Sequence, residues 1–284
     1  MSVRTVNESL REYARGVAGG LLFSLPLLYT MEVWWAGFTS HPWRLALYVA
    51  ATFALLLGYN YYLGLRRDTC FSEVVIDSVE EMGLGLLVAF LVLWLLGRVA
   101  LDQPAEEVIG KTTVEAMTVA IGVSVGTSQL GAEAEDEGDK GVSGAARAGG
   151  GRAGPHFGGQ VVIALCGAVL FAANVAPTEE IVMIAVEISA WRLLGLALLS
   201  LALSALILYY SEFSGSKKFV RFDARHDVLV GTVVTYAVAL AASALILGFF
   251  GRFDGQALAT CVAQTVVLGV AATLGASAGR LLLQ

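Results

Sequence analysis

Two glutamates lie inside long apolar stretches, where acidic residues are uncommon. Glu32 occurs in Leu-Tyr-Thr-Met-Glu-Val, and Glu180 occurs in Ala-Pro-Thr-Glu-Glu-Ile, beside a second acid, Glu179. A charged side chain in hydrocarbon costs about 3 kcal/mol or more, so acids at such depth usually bind a partner, a cation or a proton. Thr30 and Thr178 lie two residues before these acids and add hydroxyl oxygens. The pattern predicts a cation or proton site built from these five residues.

Thr and Glu can share one ion only if the helix is broken between them. Positions two residues apart point about 200 degrees apart around a regular helix, so the two side chains diverge. In the second stretch Pro177 lacks an amide hydrogen and frees carbonyl groups near Ala173 and Asn174. The first stretch has its proline earlier, at Pro26. The prolines therefore predict a locally opened helix in the second stretch, with Asn174 as a further candidate on the ion pathway.

The same acids have an alternative, structural use. In this interpretation Glu32 pairs with Arg44 or Arg192 near the membrane surface, and the carboxylates only hold helices together. The two interpretations differ in what a change of Glu to Gln does: it removes ion binding in the first and destabilises the fold in the second.

A second set of acids lies in the third apolar stretch. Asp77, Glu80 and Glu81 occupy positions i, i+3 and i+4, which share one face of a helix. They fit an inner vestibule that concentrates cations, or a solvated first turn whose dipole favours acids. Glu115 is a lone acid of the fourth stretch and is expected to join the polar interior. With Asn174, these four acids are secondary candidates for an ion pathway.

The composition places all of these acids in a membrane protein. Of 284 residues, 57% are hydrophobic and 15% are charged, and the mean hydropathy is +0.72, which lies outside the usual range of soluble proteins. A helix of about 20 apolar residues spans a bilayer. Eight stretches meet that length: 16–37, 43–65, 73–98, 108–129, 160–187, 191–213, 227–250 and 257–281. The sequence predicts an all-α, polytopic membrane bundle of about eight transmembrane helices, with the threonine-rich fourth stretch as a buried span.

Charge and composition predict the topology. Most of the 18 Lys and Arg residues fall on the side of the N-terminus, which the positive-inside rule assigns to the cytoplasm. Both termini are therefore predicted to be cytoplasmic, and the protein is predicted to lie in the cell (inner) membrane of a bacterium. Residues 131–159 are rich in glycine and acids and cannot bury enough apolar surface to fold. They are predicted to form a flexible cytoplasmic linker.

The chain contains an internal duplication. A shift of 148 residues aligns the two Thr-x-Glu motifs, and it also aligns Trp-Arg-Leu at 43–45 and 191–193 and Tyr-Tyr at 61–62 and 209–210. Small residues recur at every fourth position of the last stretch in each copy: Thr118, Gly122 and Gly126, and Ala271, Gly275 and Gly279. Such spacing predicts close approach of helix backbones.

The duplication divides the chain into two repeats. The third stretch of each copy ends alike, in Leu-Gly-Arg at 96–98 and Phe-Gly-Arg at 250–252, after an insertion of six residues. Four spans per copy is an even number, so both copies enter the membrane from the same side and form a parallel repeat about a pseudo-twofold axis. The predicted organisation is a first four-span repeat at 1–130, the linker at 131–159 and a second four-span repeat at 160–284.

The residue types argue against enzymes and nucleic-acid-binding proteins. The net charge of -6 gives no basic surface for nucleic acid. The three histidines and three cysteines are isolated, and neither a phosphate-binding loop nor a nucleophile elbow occurs. We therefore expect no enzymatic activity and no cofactor other than a bound cation. The expected partners are the lipid bilayer, an inorganic cation or a proton, and further copies of the chain in a homo-oligomer.

Two resemblances follow from these motifs. The eight-span pattern, the Ala-Pro-Thr-Glu-Glu-Ile motif at 176–181 and the two Trp-Arg pairs resemble a family of bacterial integral membrane proteins with no assigned activity. The segment 172–180 is also similar, at motif level, to the alpha-repeats of cation/calcium exchangers, a resemblance that implies that its acid binds a transported cation. Those repeats have five spans and are inverted, and here a threonine separates Pro177 from Glu179.

Taken together, these features predict an integral membrane cation transporter, with or without proton coupling, with intramembrane carboxylates as its ion or proton site. One alternative is an oligomeric cation channel with an acidic ring in the pore. Another is a non-transporting membrane sensor or scaffold that uses the linker to bind partners.

Overall fold

The computed structural model describes residues 6–63, 71–100, 102–138, 157–213 and 224–282. Every regular element within these ranges is an α-helix, which confirms the all-α prediction. The helices are α1 (Val6–Leu28), α2 (Met31–Thr39), α3 (Pro42–Leu63), α4 (Phe71–Leu95), α5 (Ala105–Gly138), α6 (Phe157–Ala173), α7 (Glu179–Glu187), α8 (Ala190–Phe213), α9 (Ala224–Phe249) and α10 (Leu258–Leu282).

Helix α5 continues into the segment predicted as a flexible linker. Helix α5 ends at Gly138. It extends this far because the preceding Ala-Glu-Ala-Glu-Asp-Glu run is rich in alanine and glutamate, which favour helix. Residues 131–138 of the predicted linker are therefore helical, and α6 begins at Phe157. The predicted linker between these two helices lies outside the described residues.

Six of the described helices are long and apolar enough to cross a membrane: α3, α4, α5, α8, α9 and α10. A seventh span is added if α1 and α2 count as one bent span. The sequence predicts eight, and the difference arises because the stretches 16–37 and 160–187 are both broken. Helix α6 retains 17 residues, fewer than a typical span requires.

The two broken stretches share one design. Helix α1 ends at Leu28, Thr30 is extended, and α2 begins at Met31 with an 87° change of direction. Helix α6 ends at Ala173, Thr178 is extended, and α7 begins at the next residue. The opening predicted near Pro177 is confirmed, and a second break in the first stretch was not expected from Pro26, which lies inside α1.

Helix α5 is the centre of the first half. Within its candidate span, 83% of the most apolar window is buried, whereas the corresponding share of α8 is 17%. The hydroxyl-rich sequence of α5 dilutes its apolar signal, yet α5 is the most enclosed candidate span of the described chain. This confirms the prediction of a buried span over 108–129.

Glycines allow the tightest helix crossing in each half. Gly19 of α1 lies against Gly122 and Gly126 of α5, so closely that a Cβ on Gly19 would overlap the α5 backbone. Gly167 of α6 lies against Gly275 and Gly279 of α10 in the same way. The small-residue spacing therefore marks real backbone contacts, which lipid-embedded helices use for close packing.

The last helix organises each half. Helices α1, α2, α3 and α4 pack on α5, and α6, α7, α8 and α9 pack on α10. The halves meet chiefly where α6 packs against α3 and α5. Among the described residues, α1 makes no contact of similar extent with α8 or α10. A twofold axis requires reciprocal contacts, so the predicted pseudo-twofold relation does not describe the way these halves meet.

Candidate functional site

The two acids at the head of the predicted site lie on separate short helices. Glu32 is in the first turn of α2 and is partly buried, and Glu180 is in the first turn of α7 and is exposed. The N-terminal end of a helix favours negative charge. A hydrogen bond from its own backbone amide holds the pKa of Glu180 below its usual range. Glu180 is thus an exposed acid whose charged form is favoured by the backbone.

The neighbouring predicted residues serve the helix breaks. The Thr30 hydroxyl donates to the Pro26 carbonyl at 2.8 Å, and the Thr178 hydroxyl donates to the Val175 carbonyl at 2.9 Å. Neither hydroxyl caps the short helix that follows. Each of these carbonyls also accepts a backbone N–H, from Tyr29 and from Thr178 itself, so the threonine hydroxyls add a second donor at each break.

Equivalent arginines hold the two breaks by different means. Arg252 donates to the Pro177 carbonyl and forms a 2.8 Å ion pair with Glu179. Its counterpart Arg98 stacks over the ring of Trp34, with 4.7 Å between the guanidinium carbon and the ring centroid. The Trp34 indole N–H in turn donates to the carbonyl of Leu28, the last residue of α1. Glu179 is therefore committed to an ion pair.

The predicted alternative pairing of Glu32 is not found. Arg44 instead forms a 2.8 Å ion pair with Asp254, just beyond α9. Arg192 is exposed, and Glu32 forms no ion pair with any described residue. In the described ranges no three metal-ligating side chains come together. Whether Glu32 and Glu180 bind an ion remains a prediction.

Glu115 has the most unusual environment among the acids. It lies on α5 and is 0% exposed, and both of its carboxyl oxygens are buried with no hydrogen-bond partner among the described residues. One turn earlier, the buried Thr112 hydroxyl also has none. One turn later, the Thr118 hydroxyl is 3.3 Å from that of Tyr48 on α3. The structure confirms that Glu115 joins the interior.

Glu81 is partly buried and joins a second polar cluster, whose other members are buried. The Asn60 side-chain amide donates to the Glu81 carboxylate at 2.7 Å and to the Ser78 hydroxyl at 3.1 Å. The Ser124 hydroxyl of α5 donates back to the Asn60 oxygen at 3.3 Å. This network joins α3, α4 and α5, and its hydrogen bonds make burial of an acid tolerable.

The three predicted acids of α4 have different surroundings. Glu81 and Asp77 are both partly buried, Glu81 enters the network, and Glu80 is exposed. Their shared helix face is wide enough to reach from the interior to the surface. Asn60 was not predicted, although a carboxamide in an apolar stretch is a usable signal.

The second half places a cation where the first has an acid. Arg280, near the end of α10, is buried and donates to the Thr235 hydroxyl at 2.7 Å, to the Gly231 carbonyl at 3.2 Å and to the Gln160 oxygen at 3.3 Å. Thr235 follows Glu81 by 154 residues, the same interval that separates the two Leu-Gly-Arg and Phe-Gly-Arg endings. The two clusters therefore occupy matching places with opposite charge.

Asn174 lies between the halves. Its side-chain amide donates to the Phe23 carbonyl of α1 at 3.1 Å and to the Leu170 carbonyl of α6 at 2.5 Å. Its oxygen is buried without a hydrogen-bond partner in the described chain. The predicted pathway residue thus holds the break after α6 against the end of α1.

Two side-chain donors that the sequence analysis missed repeat across the halves. The Lys111 ammonium donates to the Arg98 carbonyl at 3.1 Å and pairs with Glu107. Gln264 donates to the Arg252 carbonyl at 3.4 Å. Lys111 could have been noticed in the sequence, because it is a charged residue near the start of the apolar stretch 108–129.

The chain matches the model of a known protein family. Residues 12–283 match the model of a family described as "Putative integral membrane protein (DUF2391)". No curated protein and no solved structure matches the chain, so the motif-level similarity to cation/calcium exchangers extends to no whole exchanger. Because the match covers nearly the whole chain, and because the described helices form an apolar bundle, the protein belongs to this family of integral membrane proteins.

Proposed function

We propose that this protein transports protons, or a cation coupled to protons, along the polar face of α5, with Glu115 and Glu81 as the carboxyls that take up and release them. The observation that carries the proposal is the buried Glu115 carboxyl, which has no hydrogen-bond partner in the described chain. A carboxylate in that position is costly unless it binds a proton or a cation. A side chain kept at such a cost is a functional candidate.

The two acids lie at different depths. At 1.5 Å per residue, Glu115 is about 15 Å from the start of α5 at Ala105, and Ser124, which belongs to the Glu81 network, is about 13 Å further along. Glu115 therefore lies near the middle of the span and Glu81 closer to its other end. Hydroxyls of Thr118 and Tyr48 lie on the side of Glu115 toward Ser124. This order suits stepwise transfer of a proton.

The ligand set favours a proton over a metal ion as the species held at Glu115. A hard cation such as Ca²⁺ takes six or more oxygen ligands, about 2.3–2.6 Å away. Within the described ranges, Glu115 belongs to no group of three or more metal-ligating side chains. One carboxyl is sufficient for a proton. Of the five residues predicted first, Glu32 and Glu180 then act at the entrance, where their negative charge attracts cations. Glu179 pairs with Arg252, and Thr30 and Thr178 donate to backbone carbonyls at the helix breaks.

The proposed architecture is a parallel pair of four-span repeats with cytoplasmic termini in the inner membrane. The matched glycine crossings, the matched arginines and the donors Lys111 and Gln264 support the duplication. The excess of Lys and Arg on the side of the N-terminus supports the orientation. In this orientation Glu81 lies toward the cytoplasm and α2 and α7 lie at the outer surface.

A non-transporting scaffold is the second candidate, and one observation favours it. The Glu81 and Arg280 clusters are well hydrogen-bonded and could serve only to hold helices in register. In that case the burial of Glu115 has no functional role, and the protein carries no flux that its replacement could change.

The proposal is tested by proton flux into proteoliposomes. A potassium diffusion potential drives proton entry, an internal pH dye reports it, and inorganic cations are added one at a time. We expect Glu115→Gln to abolish flux and to leave the melting temperature unchanged or raised, because an unpaired acid is removed. Glu106→Gln, an exposed position on the same helix, is the matched control and should retain flux. Flux no greater than that of protein-free liposomes for the wild type and both variants would support the scaffold, and equal flux above that level would remove Glu115 from the pathway.

A further inference from the structure

We infer that the protein forms homo-oligomers in which α8 of one copy packs against α1 of the next. This contact would repeat the one that α3 makes with α6 inside the chain. The inference rests on the proposed two-repeat architecture, in which α8 corresponds to α3 and α6 to α1. It does not depend on what the protein transports.

The internal contact is close and specific. A Cβ placed on Gly58 of α3 would lie 3.3 Å from a Val162 methyl group of α6. The Tyr62 ring packs over Gly158 and Gly159 at the start of α6. A small residue on one helix thus receives a larger one from the other at two levels, which is how membrane helices approach closely.

The corresponding face of α1 is uncovered. On α6, Cys166 and Leu170 are 0% and 2% exposed and belong to a core cluster with α3 and α5. The same interval of 148 residues leads to Ala18, which is exposed, and Leu22, which is 73% exposed. The same surface of the repeat is therefore buried in the second half and open in the first.

The open surfaces have kept complementary sizes. Gly58 corresponds to Leu206 on α8, and Val162 corresponds to Ala14 on α1. Leu206 is 53% exposed and Ala14 is also exposed. The internal pair is small on α3 and large on α6, whereas the open pair is large on α8 and small on α1. In both pairs a small residue faces a larger apolar one, and the open pair has two more side-chain carbons than the internal pair.

The arrangement of the halves identifies the partner as a second copy. Exposed leucines alone would suit lipid, so the argument depends on the form of the internal contact. That contact joins two different surfaces of the repeat, and such a contact leaves one unused copy of each surface at opposite ends of the pair. Both unused surfaces lie on every chain with the same membrane orientation. A second copy supplies the partner that each one lacks.

Cysteine crosslinking tests the contact directly. The variant Ala14→Cys/Leu206→Cys, with Cys70→Ser and Cys261→Ser to remove other reactive thiols, is oxidised in membranes and separated without reducing agent. We expect covalent dimers and higher multiples, because the equivalent internal pair is close enough for a disulfide. The variant Gly58→Cys/Val162→Cys should form its disulfide within one chain and keep the monomer mass. Ala14→Cys/Val233→Cys controls for random collision, since Val233 is 61% exposed on α9.

Two results would overturn the inference. One is crosslinking of the Ala14/Leu206 pair no greater than that of the Ala14/Val233 pair while the internal pair closes. The other is failure of the internal pair itself, which would remove the contact that the proposed interface repeats. In support, Ala14→Trp should shift the protein from oligomer to monomer in native lipid discs without changing its melting temperature. None of these readouts measures flux, so loss of the transport proposal leaves them interpretable.

Discussion

The two halves of the protein use matching helices around buried groups of opposite charge. In the first half Glu81 of α4 is bound by Asn60 of α3, and in the second half Thr235 at the matching place of α9 receives Arg280 of α10. The glycine crossings of α1 with α5 and of α6 with α10 are the same in both. Packing has been kept while the buried charges have diverged.

The same comparison isolates Glu115. The interval of 153 residues between Gly126 and Gly279 leads from Glu115 to Leu268, which is buried at 0% exposure in the core of the second half. An apolar side chain therefore serves the fold at this place. The acid of the first half is an addition that packing does not require, which is why we assign the transport chemistry to the first half.

The largest effects should come from the glycine crossings, and they should be alike in the two halves. Gly19→Ala and Gly167→Ala each place a methyl group into a facing helix backbone, which cannot move without separating the helices. We expect each to destabilise the protein by about 3 kcal/mol or more and to lower the yield of folded protein. The melting temperature in detergent measures the effect.

Open glycines in the same bundle supply the matched controls. Gly83 on α4 and Gly195 on α8 have no atom near the position of an added Cβ. Gly83→Ala and Gly195→Ala should therefore be neutral or stabilising by up to about 1 kcal/mol, because alanine favours helix. If the crossing and open variants lose stability equally, the close packing of either half is not as described.

The charged clusters should differ in what they stabilise. Arg280→Met removes the cation and leaves the oxygens of Thr235 and Gln160 buried with fewer donors, so we expect a loss of about 1–3 kcal/mol. Glu81→Gln keeps an acceptor for Asn60 and should cost less than about 1 kcal/mol. Flux should show the reverse, with Glu81→Gln inactive.

Melting temperature and proton flux on both variants test this separation. A stable Arg280→Met protein with no flux would place the pathway in the second half. Full flux through Glu81→Gln would remove Glu81 from the pathway and leave Glu115 as its carrier.

Composition and periodicity predicted the helical class, the buried fourth stretch and the small-residue crossings, because these depend on apolar length and side-chain size. They did not predict the break after Leu28, since Pro26 is accommodated inside α1 and the chain opens only at Thr30. A proline fixes its own backbone angle, but neighbouring helices decide where the free carbonyls find donors. The bent first stretch is a tertiary effect.

The ranking of site residues also had a physical limit. Repetition drew attention to Glu32 and Glu180, and the sequence could not show that Glu180 is exposed while Glu115 is enclosed. Successive residues of a helix point about 100 degrees apart, so neighbours in sequence can face different surroundings. The packing of the other helices decides which of these positions is enclosed by protein. Arg280 lies in the last turn of α10, where a charged residue is ordinarily expected at the surface. Its burial depends on contacts with α6 and α9, which are distant in sequence.

The smallest expected effect concerns the two helix breaks. Arg98 stabilises the first through Trp34, and Arg252 stabilises the second through Pro177 and Glu179. The Glu179 side chain is 65% exposed, so its ion pair is screened by water and salt and should contribute less than about 1 kcal/mol. Glu179→Gln should therefore lower the melting temperature slightly at low ionic strength and not at high. Trp34→Phe removes the donor to the Leu28 carbonyl and should lower it equally at both. A salt-independent loss for Glu179→Gln would mean that this acid is a buried structural partner in the membrane, and the difference between the breaks would then lie in geometry alone.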